Sequence, residues 1–95
     1  MDTNSLLIEK NILITGASSG IGKSLSLSLS KFGANVIMLS KNEKALDSIY
    51  DEIKEKYNTE PMIIKCDLSR LDENKSQEIT DTIEENYLRL DAIIH

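Results

Sequence analysis

The run Thr15-Gly16-Ala17-Ser18-Ser19-Gly20-Ile21-Gly22 is the part of this 95-residue sequence best suited to chemistry. It follows a short apolar stretch, Asn11-Ile12-Leu13-Ile14-Thr15, and leads into a segment that reads as helical. A tight strand-to-helix turn needs residues that tolerate positive φ, and a bound pyrophosphate needs backbone with no side chain in its way; glycine supplies both. A helix opening near Gly20 would aim its free N–H groups and positive dipole end at the phosphates. Ser18 and Ser19 can add hydroxyl donors. The bland alternative is a glycine-rich turn that binds nothing. Its position between an apolar strand and a helix, in a β-α-β unit of suitable length, favours the phosphate reading.

The elements that must position this turn follow from hydrophobic patterning. Residues 34–39, 61–66 and 91–95 resemble the first strand, and all four runs are nearly continuous in apolar residues. Such strands are covered on both faces, as in parallel sheets. Leu46, Ile49, Tyr50, Ile53 and Tyr57 recur at helical steps, with either a Ser40/Glu43 capping box or Asn42 as the N-cap. Ile79, Ile83 and Tyr87 mark another helix within roughly residues 69–88. The first connection is ambiguous, because Ser24 to Ser30 alternate strictly between serine and leucine, which is the period of a strand. Length, an apolar face of Ile21, Leu25, Leu29 and Phe32, and a natural stop at Gly33 favour a helix. The order β-α-β-α-β-α-β with right-handed crossovers predicts an α/β, doubly wound parallel sheet of the Rossmann type, present as its N-terminal half. The last apolar strand ends the chain where a covering helix and a neighbouring strand are expected. Residues 1–95 are therefore read as the N-terminal part of one NAD(P)-binding domain, truncated at its C-terminus.

Composition narrows the partners. Eleven Lys plus Arg against sixteen Asp plus Glu give a formal charge of −5, which repels a phosphate backbone and argues against nucleic acid. Cys66 is the sole cysteine and the sequence has one histidine, so no internal disulfide and no Cys/His metal cluster is expected. No stretch approaches roughly 18 consecutive apolar residues, and Met1-Asp2-Thr3-Asn4-Ser5 lacks the basic and apolar regions of a signal peptide. A cytoplasmic protein without a membrane partner is expected.

The pattern Thr-Gly-x-x-x-Gly-x-Gly at Thr15 to Gly22 resembles the cofactor signature of the short-chain dehydrogenases/reductases. Leu39-Ser40-Lys41-Asn42-Glu43 resembles the exit of that family's second strand, Cys66-Asp67-Leu68 its third-strand Asp-Leu pair, and Leu90-Asp91-Ala92-Ile93-Ile94 its fourth strand. The final His95 makes the fourth strand similar to a bacterial subgroup, the YciK-type oxidoreductases. The resemblance implies an NAD(P)-dependent oxidoreductase that exchanges hydride with a small alcohol or carbonyl substrate and forms a homo-oligomer at full length. Cofactor contacts are implied at Gly16, Ser18, Ser19, Gly20, Ile21 and Gly22, with an adenine contact at Asp67 beside Leu68. Asp67 also has a plain reading as a turn or helix-capping aspartate.

An acid about 20 residues beyond the glycines usually accepts hydrogen bonds from the adenosine ribose and would repel a 2′-phosphate. None stands between Val36 and Asn42; Ser40 and Lys41 occupy the strand exit instead. NADP(H) is expected over NAD(H), with Lys41 pairing the phosphate, unless Lys41 is simply a solvated surface lysine. In the resembled family a Tyr-x-x-x-Lys pair and a Ser act beyond the fourth strand. Tyr50-Asp51-Glu52-Ile53-Lys54 has that spacing, but Tyr50 falls on the apolar face of the second helix and ahead of the third strand. No catalytic residue is expected within these 95 positions. Two rivals remain. Ala17 to Ser24 nearly spells a P-loop ending in Gly22-Lys23-Ser24, with Asp67 as the candidate Mg²⁺-holding acid, and the chain could also be a dinucleotide-binding module without catalysis.

Overall fold

In the computed structural model, which describes residues 6–70, 72–87 and 89–94, β1 (Asn11–Thr15) leads into α1 (Gly20–Lys31) and β2 (Asn35–Ser40). Then come α2 (Glu43–Lys56), β3 (Met62–Lys65), a short 3-10 helix (Leu68–Arg70), α3 (Glu73–Tyr87) and β4 (Ala92–Ile94). The strands pair in parallel in the order β3-β2-β1-β4, with Leu13 level with Ile37 on one side and Ile93 on the other. This is the doubly wound arrangement expected from the sequence.

The strand period sorts the core into two layers. Ile12, Ile14, Val36 and Met38 face Leu46, Ile49 and Ile53 of α2, with Leu27 and Leu29 of α1 packed alongside. Leu13, Ile37 and Leu39 point the other way, toward Ile79 and Ile83 of α3. Leu46, Ile53 and Ile83 are almost fully enclosed, and each such side chain contributes about 1.5–3 kcal/mol of transfer free energy. Two-sided cover holds for the central pair, β1 and β2. It does not hold for the edges: β3 is only half covered, and Ala92 and Ile93 of β4 are exposed.

The ambiguous serine-leucine run is helical, but its buried face is not the expected one. Gly22, Ser26 and Ser30, at four-residue steps, lie against the sheet, while Ile21 is 85% exposed and Leu25 and Leu29 are half-buried. Small residues let the helix axis approach the sheet closely. The buried hydroxyls find partners within the helix: Ser26 Oγ donates to Gly22 O and Ser30 Oγ to Ser26 O, both at 2.8 Å. Gly33, at φ 99°, ends the helix as expected. Its N–H donates to Ser30 O and that of Ala34 to Leu29 O, the paired bonds of a Schellman motif.

Of the two N-cap alternatives for α2, the structure has Asn42, whose Oδ1 accepts from the Ala45 N–H at 3.1 Å. Ser40 instead ends β2. The third helix lies within the stretch expected from the sequence; the 3-10 turn takes Leu68–Arg70 ahead of it, and Asp72 Oδ1 accepts from the Lys75 N–H. Leu88 and His95 lie outside the described residues.

At the N-terminal ends of the strands, Asn11 and Asp91 exchange two hydrogen bonds of 2.8 Å. Asn11 Nδ2 also donates to Arg89 O, and Asn35 Nδ2 donates to Asn11 Oδ1. The Glu60 N–H completes the set by donating to Asn35 Oδ1. This network ties β1, β2, β4 and the loop before β3 at one end. It thereby fixes where their other ends emerge.

Candidate functional site

Those other ends bring the sequence-predicted positions together. After β1 the chain turns into α1 on one face of the sheet, whereas β4 is reached from α3 on the opposite face. The gap between β1 and β4 at their C-terminal ends is thus the topological switch point, where open α/β sheets form a crevice.

The turn is held tightly on its protein side and left open on the other. The N–H of Gly16, which has φ 64°, donates to Leu39 O at 2.9 Å, and that of Ser19 donates to Gly16 O at 3.1 Å. Ser19 is the N-cap of α1, its Oγ accepting from the Gly22 N–H at 3.0 Å, and its carbonyl takes the Lys23 N–H. Among the described residues this leaves the amides of Gly20 and Ile21, the first two of the helix, without an acceptor. A Cβ on Gly22 would overlap Gly16 O and stand 2.8 Å from Ala17 Cα, so its missing side chain is a packing requirement. A Cβ on Gly16 or Gly20 would meet nothing within 4 Å. The turn therefore has unpaired N–H donors beside bare backbone and open space, as an anionic phosphate requires.

The neighbouring strand ends add charge. Ser18 Oγ lies 2.7 Å from Ser40 Oγ, a pairing that spacing alone does not reveal. Lys41 is exposed just beyond it. Asp67 follows β3, and its Oδ1 accepts from both the hydroxyl of Ser69, at 2.7 Å, and its amide, at 3.0 Å. These bonds, the hydroxyl first, hold the carboxyl below its ordinary value of 3.8; partial desolvation opposes them, and the charges of Lys41 and Arg70 assist. Asp67 is thus a turn aspartate whose Oδ2, among the described residues, has only a long contact of 3.9 Å with Arg70 Nε. Leu68 opens the 3-10 helix beside it.

Other sequence candidates fall elsewhere. Tyr50 packs half-buried against the core, and Lys54, one turn further along α2, is exposed. Lys23 is exposed in the first turn of α1, and Ala17, at the place of the first P-loop glycine, is wholly buried. No group of three or more His, Cys, Asp or Glu among the described residues could hold a metal ion. No helix among them is long and apolar enough to cross a membrane. An open concavity of about 880 Å³, lined in part by Lys10, Asn11, Asn35, Tyr50 and Arg89, lies at the opposite end of the sheet and contains none of the predicted cofactor residues.

Fold and turn together define a Rossmann-type α/β protein with an open glycine-rich turn at its switch point. A family model described as short chain dehydrogenase matches residues 10–95, and the chain belongs to that family. It is 36% identical over 90 residues to the oxidoreductase YciK of Escherichia coli K12, covering 95% of this chain and 36% of that protein. A short chain dehydrogenase from Shigella flexneri in complex with NADP superposes with a TM-score of 0.91 at 35% identity, covering 97% of this chain and 38% of that one. Another, from E. coli CFT073 in complex with NADPH, gives 0.91 at 34% identity, covering 99% and 39%. The chain therefore spans a little over a third of the length of these relatives.

Proposed function

We propose that residues 1–95 are the cofactor-binding, N-terminal part of a single Rossmann domain in an NADP(H)-dependent oxidoreductase that interconverts an alcohol and a carbonyl compound. The observation that carries this reading is the cradle itself: two unpaired helix amides, Gly20 and Ile21, beside space that a Cβ at Gly16 or Gly20 would enter. The pyrophosphate rests on this turn, with Ser19 able to donate its unused hydroxyl proton while its oxygen caps the helix. Lys41 pairs the 2′-phosphate, and the lack of an acid between Val36 and Asn42 removes the repulsion that would exclude it. Asp67, held ionised by Ser69, offers Oδ2 to the adenine amine, and Leu68 follows it in the chain. The bound dinucleotide supplies or takes up the hydride. These residues bind and orient it, and the groups that handle the substrate proton belong to chain beyond His95.

The relatives found with NADP and NADPH support this choice of cofactor, and their greater length supports the division of labour. The full-length protein is a cytoplasmic homo-oligomer in this reading, in keeping with the buried free thiol of Cys66. Replacing Lys41 by Asp tests the reading in the protein at its natural length. Lys41→Asp should weaken NADPH binding and shift preference toward NADH; an unchanged NADPH to NADH ratio would exclude Lys41 from the site.

A further inference from the structure

Two donors of one residue converge on a single oxygen of Asp67. The Ser69 hydroxyl donates to Oδ1 at 2.7 Å, and the Ser69 N–H donates to the same atom at 3.0 Å. The direction of both bonds is fixed, because an amide N–H only donates and an ionised carboxylate only accepts. The two carboxylate oxygens, equivalent in a free aspartate, are thereby made different. Oδ1 is taken twice over, while Oδ2, among the described residues, has only the 3.9 Å contact with Arg70 Nε. The Arg70 side chain is 87% exposed, so that pair contributes little and yields readily.

The backbone keeps this arrangement in place. The Cys66 N–H donates to Ser40 O at 3.0 Å, which carries the β2–β3 pairing up to the residue before Asp67. The Arg70 N–H donates to Asp67 O at 3.0 Å and closes the 3-10 turn that holds Ser69 two residues on. Asp67 therefore stands at the C-terminal end of the sheet, as the glycine-rich turn does, with one oxygen tied and the other on offer. An oxygen that only accepts suits an N–H donor such as the 6-amino group of a purine. A 6-oxo group in the same place meets it acceptor to acceptor.

We infer that Ser69 is a positioning residue for base recognition: by claiming Oδ1 it turns Oδ2 toward the purine 6-position, so that the site selects a 6-amino over a 6-oxo base. This rests on the dinucleotide reading above, concerns the base alone, and adds a residue that touches no cofactor atom. Its sharpest consequence lies in Asp67→Asn. The two Ser69 donors still require an acceptor, so the amide oxygen takes the place of Oδ1 and the NH2 group faces the base.

Calorimetric titration of the natural-length protein with NADPH and with reduced nicotinamide hypoxanthine dinucleotide phosphate, its 6-oxo counterpart, tests this. Wild type should bind NADPH about tenfold more tightly than the 6-oxo nucleotide, as expected for one hydrogen bond to a charged group. Ser69→Ala should reduce that ratio about threefold or more, and Ser69→Thr, which keeps the hydroxyl, should retain it. Asp67→Asn should reverse the preference in favour of the 6-oxo nucleotide, and adding Ser69→Ala to it should bring the ratio back toward one, since the two residues act as a unit. Equal weakening of both nucleotides by Ser69→Ala would leave Ser69 a purely structural part of the turn and overturn the inference. An Asp67→Asn protein that still prefers NADPH would overturn it as well. If Ser69→Ala fails to fold, Asp67→Asn and Ser69→Thr decide the matter by the same criteria. Wild type that binds NADPH without distinguishing the two bases would remove this inference alone, whereas wild type that binds neither nucleotide would remove the underlying reading.

Discussion

Gly20 and Gly22 belong to one motif yet do opposite work, and paired substitutions separate the two. An added Cβ at Gly22 runs into Gly16 O and the Ala17 backbone, so Gly22→Ala should cost about 1–3 kcal/mol through overpacking and lower the melting temperature. Gly20→Ala meets only open space within the protein. Its melting temperature should stay close to wild type while NADPH binding falls, because the methyl occupies the cradle; undiminished binding would count against phosphates resting there. The spacing of the glycines was legible in the sequence, but which of them packs and which leaves room was not. That depends on how near α1 comes to the turn, a distance no residue type encodes alone. The dual character of Asp67 was legible in the same limited way, since the sequence marks the residue but not its hydrogen bonds to Ser69.

Helix α1 shows where hydropathy misleads at the scale of an element. The serine-leucine alternation fits either period, and its leucines invite the reading that apolar residues face the sheet. Gly22 packs against Gly16 and Ala17 of the turn, and Ser26 and Ser30 are the buried residues of the next two turns. Ser26→Leu should therefore destabilise the fold by about 1–3 kcal/mol despite raising hydrophobicity. Ile21→Ser, at a residue 85% exposed, should leave the melting temperature within about 0.5 kcal/mol of wild type. Chemical denaturation of both variants checks the pair, and the reverse order of effects would mean that the leucine face is the buried one. By contrast, α2 was legible down to Leu46, Ile49 and Ile53, because its apolar residues keep one helical period and those same residues are the buried ones.

Across the whole molecule, the polar lock at one end of the sheet and the open cradle at the other divide stability from function. Asp91 is held below its ordinary value of 3.8, first by the Asn11 N–H and then by the charges of Arg89 and Lys10, against an opposing effect of desolvation. A carboxylate whose folded-state pKa is depressed stabilises the fold above its unfolded value, and that contribution is lost as pH falls through the folded value. Stability should thus decline below about pH 4, and Asp91→Asn should be less stable at neutral pH with a flatter acid profile. An unaltered profile would show that the Asn11 bond does not set the titration. The doubly wound class was legible because chirality and crossover rules leave few arrangements, and so was the exposed apolar edge at β4, with Ile93 52% exposed, because an apolar strand without a covering helix and a neighbouring strand must show its faces. If the chain is the cofactor-binding part of a longer domain, the protein from its own cells should have a mass of roughly 25–30 kDa, and a mass near that of these 95 residues would refute the division proposed above. The most direct test is a titration of that natural-length protein with NADPH, NADH and magnesium-ATP. The account predicts saturable NADPH binding, tighter than NADH, with no binding of magnesium-ATP; absent NADPH binding, or magnesium-dependent ATP binding in its place, would contradict it.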